Sequence, residues 1–274
     1  MFRWSCQHFC CKGRAAFDAI YVINLESRAD RRDFVVEQLL RVRGDITCGG
    51  KVPVIHYPAV VGKSLDAARL ERAGFITRLG RLRLEAPVEQ KVWGMDLNYG
   101  AVGCALSHIN LWLDISRRMF RRALVLEDDS IIPEHFLEAF GERILHVPAD
   151  WELVYLSGLD TAKRGHLLQV AEGVRYVPQM HRTTNCYMVS ASGCSRLLRE
   201  CVPLTYQLDT QMTLKCNPHP ESREPYVVTP RCYTMHPPLV VQATRFGSDI
   251  QESNPADPIS EEQGRLKEAN LPSV

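Results

Sequence analysis

Short apolar runs alternate with stretches of helical periodicity along most of the chain. Strands are predicted at 19–25, 52–61, 123–126, 152–156, 174–177 and 186–190. Helices are predicted at 30–43, 64–72 (with Ser64 as its cap), 101–119, 134–145, 191–201 and 206–215. Residues 75–99 lack clear periodicity and are expected to form a surface excursion, and short extended segments at 226–228 and 239–241 close the pattern. This alternation predicts an α/β fold, a three-layer sandwich around a mainly parallel mixed sheet.

One predicted strand runs directly into acidic residues. Ala123 to Leu126 are apolar, and Glu127, Asp128 and Asp129 follow without a break. Ligands of parallel α/β sheets bind beyond the carboxyl ends of the strands, which is where this triplet falls. On an extended backbone, Glu127 and Asp129 would point to one face and Asp128 to the other. Repulsion among three ionised groups favours a bound divalent cation, and a solvated acidic turn is the alternative.

Size and charge narrow the class of protein. The chain has 274 residues, a mass of 31.1 kDa and a formal net charge of +1. It can therefore bury a sizeable core, and it lacks the basic surplus of a dedicated nucleic-acid binder. Arginines cluster at 117–122 and at 78–83, and both clusters are interpreted as solvated faces. The second cluster could touch an anionic surface, which leaves peripheral membrane association open.

The ten cysteines do not form a disulfide pattern. There is no repeated CxxC, and most of them lie in apolar runs, so buried reduced thiols are expected. No secretory core, no span of roughly 20 apolar residues and no Asn-x-Ser/Thr site occurs, which predicts a reducing, cytoplasmic setting. The N-terminal Cys6, His8, Cys10 and Cys11 could bind zinc or be acylated, but a neutral tail is the default.

The same patterns predict the domain organisation. We expect an N-terminal extension at 1–16, a catalytic domain at 17–252 and a polar C-terminal tail at 253–274. Dinucleotide, Walker, zincin and nucleophile-elbow motifs are missing from the sequence. Their absence removes the usual support for oxidoreductases, P-loop kinases, zinc proteases and α/β-hydrolases.

Six segments in order resemble glycosyltransferase family 25, whose members build bacterial lipooligosaccharide or galactosylate collagen. The segments are YVINLESRADRR (21–32), GAVGCALSHINLW (100–112), ALVLEDD (123–129), TTNCYMVSASGCSRLL (183–198), the Leu208-Asp209 region, and PPLVVQ (237–242) followed by 247–250. The resemblance implies a GT-A type nucleotide-sugar fold, transfer with inversion, and galactose donated by UDP-galactose. It also implies a role in lipopolysaccharide biosynthesis.

The resemblance further implies roles for individual residues. Donor-binding roles fall on Asn24, Arg28, Arg31, Ser107, His108, Asp128, Thr184 and Asn185. Asp129, with Glu127 and His236, would hold Mn²⁺ (or Mg²⁺) against the donor diphosphate. Asp209 would act as the general base on the acceptor hydroxyl. Each of these residues also has a purely structural interpretation. Arg28 and Arg31 could lie in a solvated first helical turn, and His108 could be a core residue. Asp209 could simply start a helix, and Thr184 and Asn185 could cap a turn.

These inferences combine into one functional prediction. The chain is expected to be an inverting glycosyltransferase that moves a hexose, galactose by resemblance, from a UDP-sugar to a hydroxyl of a glycan or glycolipid. A metal-dependent phosphoesterase using the same carboxylates is one alternative. A catalytically silent module that binds sugar nucleotides is another.

Overall fold

The computed structural model describes residues 16–47, 50–92, 94–160, 168–177, 181–213 and 231–250. The predicted polar tail, nearly all of the N-terminal extension and the extended segment predicted at 226–228 lie outside the described residues. The domain boundaries drawn from the sequence therefore stay predictions.

An eight-stranded sheet forms the centre of the fold. Its strands are β1 (Ala19–Asn24), β2 (Val54–Pro58), β3 (Arg122–Glu127), β5 (Leu153–Tyr155), β7 (Leu168–Ala171), β8 (Val174–Tyr176), β10 (Cys186–Ser190) and β11 (Cys232–Met235). Across the sheet they lie in the order β2-β1-β3-β10-β5-β11-β8-β7. Two small pairs lie outside it: β4 (Ser130–Ile131) with β12 (Val241–Gln242), and β6 (Leu159–Asp160) with β9 (His181–Arg182). β11 was missed in the sequence because it is short and follows a long polar stretch.

The sheet is mixed, as predicted. β1 pairs in parallel with β2 and with β3, and β5 pairs in parallel with β11. β10 runs antiparallel to both of its neighbours, β3 and β5, and β8 runs antiparallel to β11. Most strands thus point one way, and the reversal of β10 decides which residues meet at the site.

Helices cover both faces of the sheet and complete three layers. They are α1 (Ala29–Ile46), α2 (Ala67–Arg72), α3 (Arg78–Glu85), α4 (Tyr99–Arg117), α5 (Phe136–Ile144), α6 (Ala191–Cys201) and α7 (Leu208–Thr213). Alternate residues of β1 serve separate cores: Tyr21 packs into the cluster that contains α4 and α6, and Val22 into the cluster that contains α1 and α5. Strands buried on both faces explain the continuous apolar runs in the sequence. The predicted three-layer GT-A type α/β fold is confirmed.

Close backbone contact fixes α4 against the chain that follows β2. The helix starts at the cap residue Asn98, whose side-chain oxygen accepts the N–H of Ala101 at 2.7 Å. A β-carbon added at Gly103 would lie 2.6 Å from the carbonyl oxygen of Val60 and 2.8 Å from the nitrogen of Gly62. Only glycine allows this approach, which sets the position of every side chain that α4 presents to the site.

Two predictions for residues 62–99 are wrong. Ser64 does not cap the following helix, because it ends a short 3₁₀ turn and donates its hydroxyl to the carbonyl of Val61. The cap is Asp66, whose carboxylate accepts the N–H of Arg69 at 2.7 Å. The segment 75–99 is not a featureless excursion, since it contains α3, and Ile76 and Leu84 are buried in the core. A single eight-residue helix offers too few apolar positions for its period to be read.

The cysteines of the described chain are free thiols, as expected. Cys186, Cys194, Cys201 and Cys232 are buried, and Cys104 is half-buried. No helix in the described ranges combines the length and apolar character needed to cross a membrane.

The cap of α2 yields a stability prediction. Replacing Asp66 with alanine removes the acceptor for the Arg69 N–H and is expected to lower the free energy of unfolding by ~1 kcal/mol. Ser64→Ala is the matched control, because it leaves this cap intact, and its effect should stay within ~0.5 kcal/mol. Urea unfolding of both variants measures the difference. An equal loss in the two variants would contradict the assignment of the cap.

Candidate functional site

A cleft of about 320 Å³ opens where β3 ends and β10 begins. Its lining comes from α4, the end of β3, the residues before β10, the start of α7 and the segment after β12. The lining residues used below are Cys104, Glu127, Arg182, Thr183, Thr184, Asn185, Asp209 and Gln242. Four of the residues selected from the sequence, namely Glu127, Thr184, Asn185 and Asp209, therefore share one cavity.

The direction of β10 explains why two of these segments meet. Cys186, the first residue of β10, lies opposite Leu126 near the end of β3 because the two strands are antiparallel. The residues just before β10 consequently lie beside the acidic turn. There the backbone carbonyl of Asn185 accepts the N–H of Glu127 at 2.8 Å. A parallel β10 would have placed Thr184 and Asn185 at the opposite edge of the sheet.

Glu127 faces the cleft and is held from two sides. Its Oε1 accepts the hydroxyl of Thr184 at 2.5 Å and lies 3.2 Å from Nε2 of His108. Burial alone would raise the pKa of Glu127, but hydrogen bonding and the electrostatic interaction with His108 outweigh it and lower that pKa. Oε2 accepts no hydrogen bond from the described residues, so one oxygen of Glu127 can take a further ligand.

Asp128 and Asp129 lie behind the cleft and share the guanidinium of Arg31. Its NH1 is 3.3 Å from Oδ1 of Asp128 and 3.5 Å from Oδ2 of Asp129. The side-chain amide of Asn24 donates to Asp128 at 2.7 Å. The extended backbone predicted for the whole triplet is wrong, because β3 ends at Glu127 and the chain turns at the two aspartates.

Amide groups supply the remaining donors to Asp129. Nδ2 of Asn185 donates at 2.7 Å and Nε2 of Gln242 at 2.9 Å. Even so, burial, and then the charge of Glu127, raises the pKa of Asp129 to about 6. The pKa of Asp128 is also raised, chiefly by burial. One arginine therefore leaves the turn under-neutralised.

This charge imbalance and one orphaned oxygen fit a hard divalent cation. Oδ1 of Asn185 is buried without a hydrogen-bond partner among the described residues, although its amide nitrogen is bound to Asp129. Carboxylate and amide oxygens are the ligands that such ions prefer. Glu127, Asn185 and Asp129 are thus the residues of this turn suited to hold Mn²⁺ or Mg²⁺.

Arg28 and Arg31 bind the segment after β12 instead of lining the cleft. Arg31 donates to the carbonyl of Gly247 at 2.6 Å, and its side chain is 8% exposed. Arg28 pairs with Asp30 and Asp249 and donates to the carbonyl of Phe246 at 3.2 Å. Both arginines therefore brace the walls of the site, and neither they nor Asn24 is among the residues that line it.

Asp209 projects into the cleft from the first turn of α7. Its Oδ2 accepts the N–H of Thr183 at 3.2 Å, and its Oδ1 accepts the N–H of Thr210 at 2.7 Å. Thr183 is one of the described non-glycine residues with positive φ (78°), and this turn aims its N–H at the carboxylate. Asp209 is therefore fixed by backbone donors in the cavity that also contains Glu127.

Ser107 and His108 lie beneath the site, and both are fully buried. The hydroxyl of Ser107 accepts the N–H of Val60 at 2.8 Å and donates to the carbonyl of Gly103 at 2.7 Å, so it docks α4. His108 joins a chain in which Nε1 of Trp112 donates to the hydroxyl of Tyr187, and that hydroxyl lies 2.8 Å from Nδ1 of His108. Ser107 thus has a structural role in place of the predicted contact with donor, and His108 orients Glu127.

The structure does not bring His236 to the predicted metal set. His236 follows β11 and interacts with the buried His181, whose pKa is lowered to about 4 mainly by burial. The backbone N–H of His236 donates to the carbonyl of Gly173 at 2.9 Å. In the described parts of the chain, the side chains of metal-ligating type that lie within 4.8 Å of one another are Cys104, His108 and Glu127, without His236.

Sequence reasoning missed two polar residues of the cleft. Arg182 brings a positive charge into the lining, and its guanidinium donates to the carbonyl of Gly94. Gln242 donates to Asp129 from β12. In the sequence, Gln242 could have been found because it ends the family-like segment PPLVVQ. Arg182 is an isolated arginine in a polar stretch, and no such pattern marks it.

A mixed α/β sheet with an acidic turn at the end of a central strand and a polar cleft beside it is the architecture of GT-A type nucleotide-sugar transferases. The protein-family model of glycosyltransferase family 25, described as an LPS biosynthesis protein, matches residues 17–212. The chain therefore belongs to glycosyltransferase family 25, a family of transferases. Membership favours sugar transfer over the phosphoesterase alternative.

Curated relatives are similar over much of this chain. Procollagen galactosyltransferase 1 of Danio rerio is 28% identical over 219 residues, covering 76% of this chain and 33% of the relative. Procollagen galactosyltransferase 2 of Mus musculus is 28% identical over 251 residues, covering 82% and 37%. The human protein named inactive glycosyltransferase 25 family member 3 is 26% identical over 269 residues, covering 92% and 42%. The chain thus spans about a third to two fifths of the length of these relatives.

The docking role of Ser107 can be tested. Ser107→Ala leaves the partly buried N–H of Val60 without its acceptor and is expected to lower the free energy of unfolding by about 1 kcal/mol. Ser116→Ala, on the exposed face of the same helix, is the matched control and should change it by less than ~0.5 kcal/mol. Urea unfolding curves give both values. A Ser107 variant as stable as the control would show that this hydroxyl does not dock α4.

Proposed function

We propose that the protein is an inverting glycosyltransferase that moves the hexose galactose from a UDP-sugar to a hydroxyl of a glycan or glycolipid acceptor. Family membership supports transfer, and the names of the curated relatives support galactose. One observation carries the proposal: a single cleft contains Glu127 and Asn185, which suit a cation, together with Asp209, which suits a base.

In this proposal the donor diphosphate lies near Glu127 and Arg182. Mn²⁺ (or Mg²⁺), when bound, supplies positive charge to the departing diphosphate. Glu127, Asn185 and Asp129 would hold that ion. Arg182 adds a fixed positive charge in the lining, and Arg31 keeps Asp128 and Asp129 partly neutralised so that the turn stays compact.

Asp209 acts on the acceptor. The acceptor hydroxyl attacks the anomeric carbon on the face opposite the leaving UDP, so a C–O bond forms as the bond to the phosphate oxygen breaks. The hydroxyl proton passes to the carboxylate of Asp209, which the backbone N–H groups of Thr183 and Thr210 hold in place. Attack from the opposite face inverts the configuration at that carbon.

The first experiment is a panel of nucleotide sugars with and without Mn²⁺, read by thermal shift and by UDP release. Stabilisation by UDP-galactose that requires Mn²⁺, with slow UDP release, is the expected result. Glycan, glycolipid and procollagen acceptors are then compared, because the names of relatives also raise a protein acceptor. Indifference to every nucleotide sugar would overturn the proposal.

The proposed base predicts a split between binding and chemistry. Asp209→Asn should slow sugar transfer by roughly 10²–10⁴-fold, the range for loss of a general base, while the Kd for UDP changes less than about threefold. The matched control is Asp33→Asn, since Asp33 is 75% exposed on α1. Equal loss of UDP binding and transfer would argue against a base at 209.

The proposed cation site predicts a different split. Glu127→Gln keeps the shape of the side chain and removes its charge. The factor by which Mn²⁺ lowers the Kd for UDP should therefore be at least about tenfold smaller in this variant than in the wild type. Glu138→Gln, at an exposed position of α5, serves as the control. Isothermal titration with UDP at fixed Mn²⁺ measures the effect. Unchanged Mn²⁺ dependence would remove Glu127 from the metal site.

A catalytically silent module is the second candidate, and a specific observation favours it. Relatives of similar identity from human and cattle carry the word inactive in their names. Under this alternative, the protein would bind UDP-galactose with Mn²⁺ but release no UDP with any acceptor. The nucleotide-sugar panel separates the two functions because it records binding and turnover independently.

A further inference from the structure

Three side chains of mixed chemistry converge at the floor of the cleft. Cys104 and His108 stand four residues apart on one face of α4, and Glu127 meets them from the end of β3. A thiol sulfur, an imidazole nitrogen and a carboxylate oxygen from these residues all lie within 4.8 Å of one another. This set differs from the oxygen-only set of Asn185 and Asp129, although Glu127 belongs to both.

One distance within this group matches the edge of a tetrahedral metal centre, and the other ligand atoms lie within 4.8 Å. Bonds of ~2.0–2.3 Å place the ligand atoms of a tetrahedral centre ~3.3–3.8 Å apart. Nε2 of His108 and Oε1 of Glu127 are 3.2 Å apart, close to one edge of such a tetrahedron. Sulfur and imidazole ligands favour borderline-soft cations over Mn²⁺ or Mg²⁺. Cys104 and Glu127 line the cleft, which leaves an entry path and a fourth position for solvent.

The surroundings of His108 fit a metal ligand. Binding through Nε2 requires the proton on Nδ1, and Nδ1 lies 2.8 Å from the hydroxyl oxygen of Tyr187. That oxygen already accepts Nε1–H of Trp112 at 2.9 Å, and its second lone pair can accept the histidine proton. The hydroxyl of Tyr187 can therefore serve as the outer partner that orients the ring of a metal-bound His108.

Cys104 must lose its thiol proton before its sulfur can bind a cation. Burial, followed by the charges of Glu127 and Asp209, raises the pKa of its thiol well above the ordinary value. A cation reverses this balance, because it favours the thiolate and neutralises Glu127. The thiol proton is then lost to solvent as the metal–sulfur bond forms.

We propose that Cys104, His108 and Glu127 form a binding site for a borderline-soft divalent cation of the Zn²⁺ class. Occupancy draws Glu127 toward α4 and away from the oxygen-ligand set. If the proposed function holds, on which this step rests, Zn²⁺ at this site weakens Mn²⁺-dependent binding of the UDP-sugar. The site is thus a point at which a second metal inhibits the transferase.

The test uses the full chain with Cys6, Cys10 and Cys11 replaced by serine, so that the N-terminal cysteines cannot supply ligands. Co²⁺ is the spectroscopic probe, because thiolate coordination produces a sulfur-to-cobalt charge-transfer band in the near ultraviolet. Competition with a chelating dye measures Zn²⁺ affinity. Cys104→Ser removes the proposed thiolate, Tyr187→Phe removes only the outer hydroxyl, and Cys201→Ser in α6 is the matched cysteine control.

A single equivalent of Co²⁺ should give the charge-transfer band in the background protein and in the Cys201 variant, but not in Cys104→Ser. Loss of the thiolate should weaken Zn²⁺ binding at least ~100-fold, and Tyr187→Phe should weaken it roughly tenfold, as for other outer-shell changes. A missing band in the background protein, or one that persists in Cys104→Ser, would overturn the site.

A second measurement separates this site from the proposed function. Zn²⁺ is titrated into the background protein with Mn²⁺ and UDP-galactose, and the apparent Kd of the nucleotide sugar should rise in step with Zn²⁺ occupancy. A rise that persists in Cys104→Ser would count against inhibition through this site. If Co²⁺ gives the expected spectrum but UDP-galactose never binds, the zinc site stands and the proposed function fails.

Discussion

Burial of negative charge at the end of β3 is the constraint on which the site depends. Asp128 and Asp129 are buried, and Glu127 stands beside them in the lining of the cleft. Removing carboxylates from water costs several kcal/mol each unless partners replace the lost hydration. Arg31 from α1, Asn185 just before β10 and Gln242 from β12 supply those partners. Segments far apart in sequence must therefore close around one turn, and the cleft lies at their junction.

Strand direction converts this electrostatic requirement into a site. β3 delivers its carboxylates at its carboxyl end, whereas β10 runs the other way and delivers Thr184 and Asn185 from its amino end. The reversal puts hydroxyl and amide groups where a parallel strand would have put the start of a connecting loop. The same loop turns at Thr183 and presents a backbone N–H to Asp209. One antiparallel strand thus connects the acidic turn with the opposite wall of the cleft.

The sequence predicts those features that depend on local pattern. The strands of β1, β3 and β10 are apolar runs buried on both faces, and α4 and α6 have clear helical periods, so all five were found. Ser107, by contrast, looks like a site residue beside His108, yet its hydroxyl satisfies a backbone N–H from another segment. Arg182 and the turn at Asp128 and Asp129 depend on tertiary contacts and on where β3 stops. Such features follow from three-dimensional packing, which no local period encodes.

The chemistry of the cleft rests on how Glu127 divides its two oxygens. Oε1 is committed to Thr184 and His108, and the chain from Trp112 through Tyr187 keeps the imidazole from rotating away. Oε2 is consequently the oxygen left to take a further ligand, which in the proposed function is a hard cation. A cation that takes Oε1 displaces the contacts of this oxygen with the Thr184 hydroxyl and the His108 ring. An ion that accepts nitrogen and sulfur ligands can recover that loss. Under the two proposals made above, the packing beneath the cleft therefore sets which metal supports transfer and which opposes it.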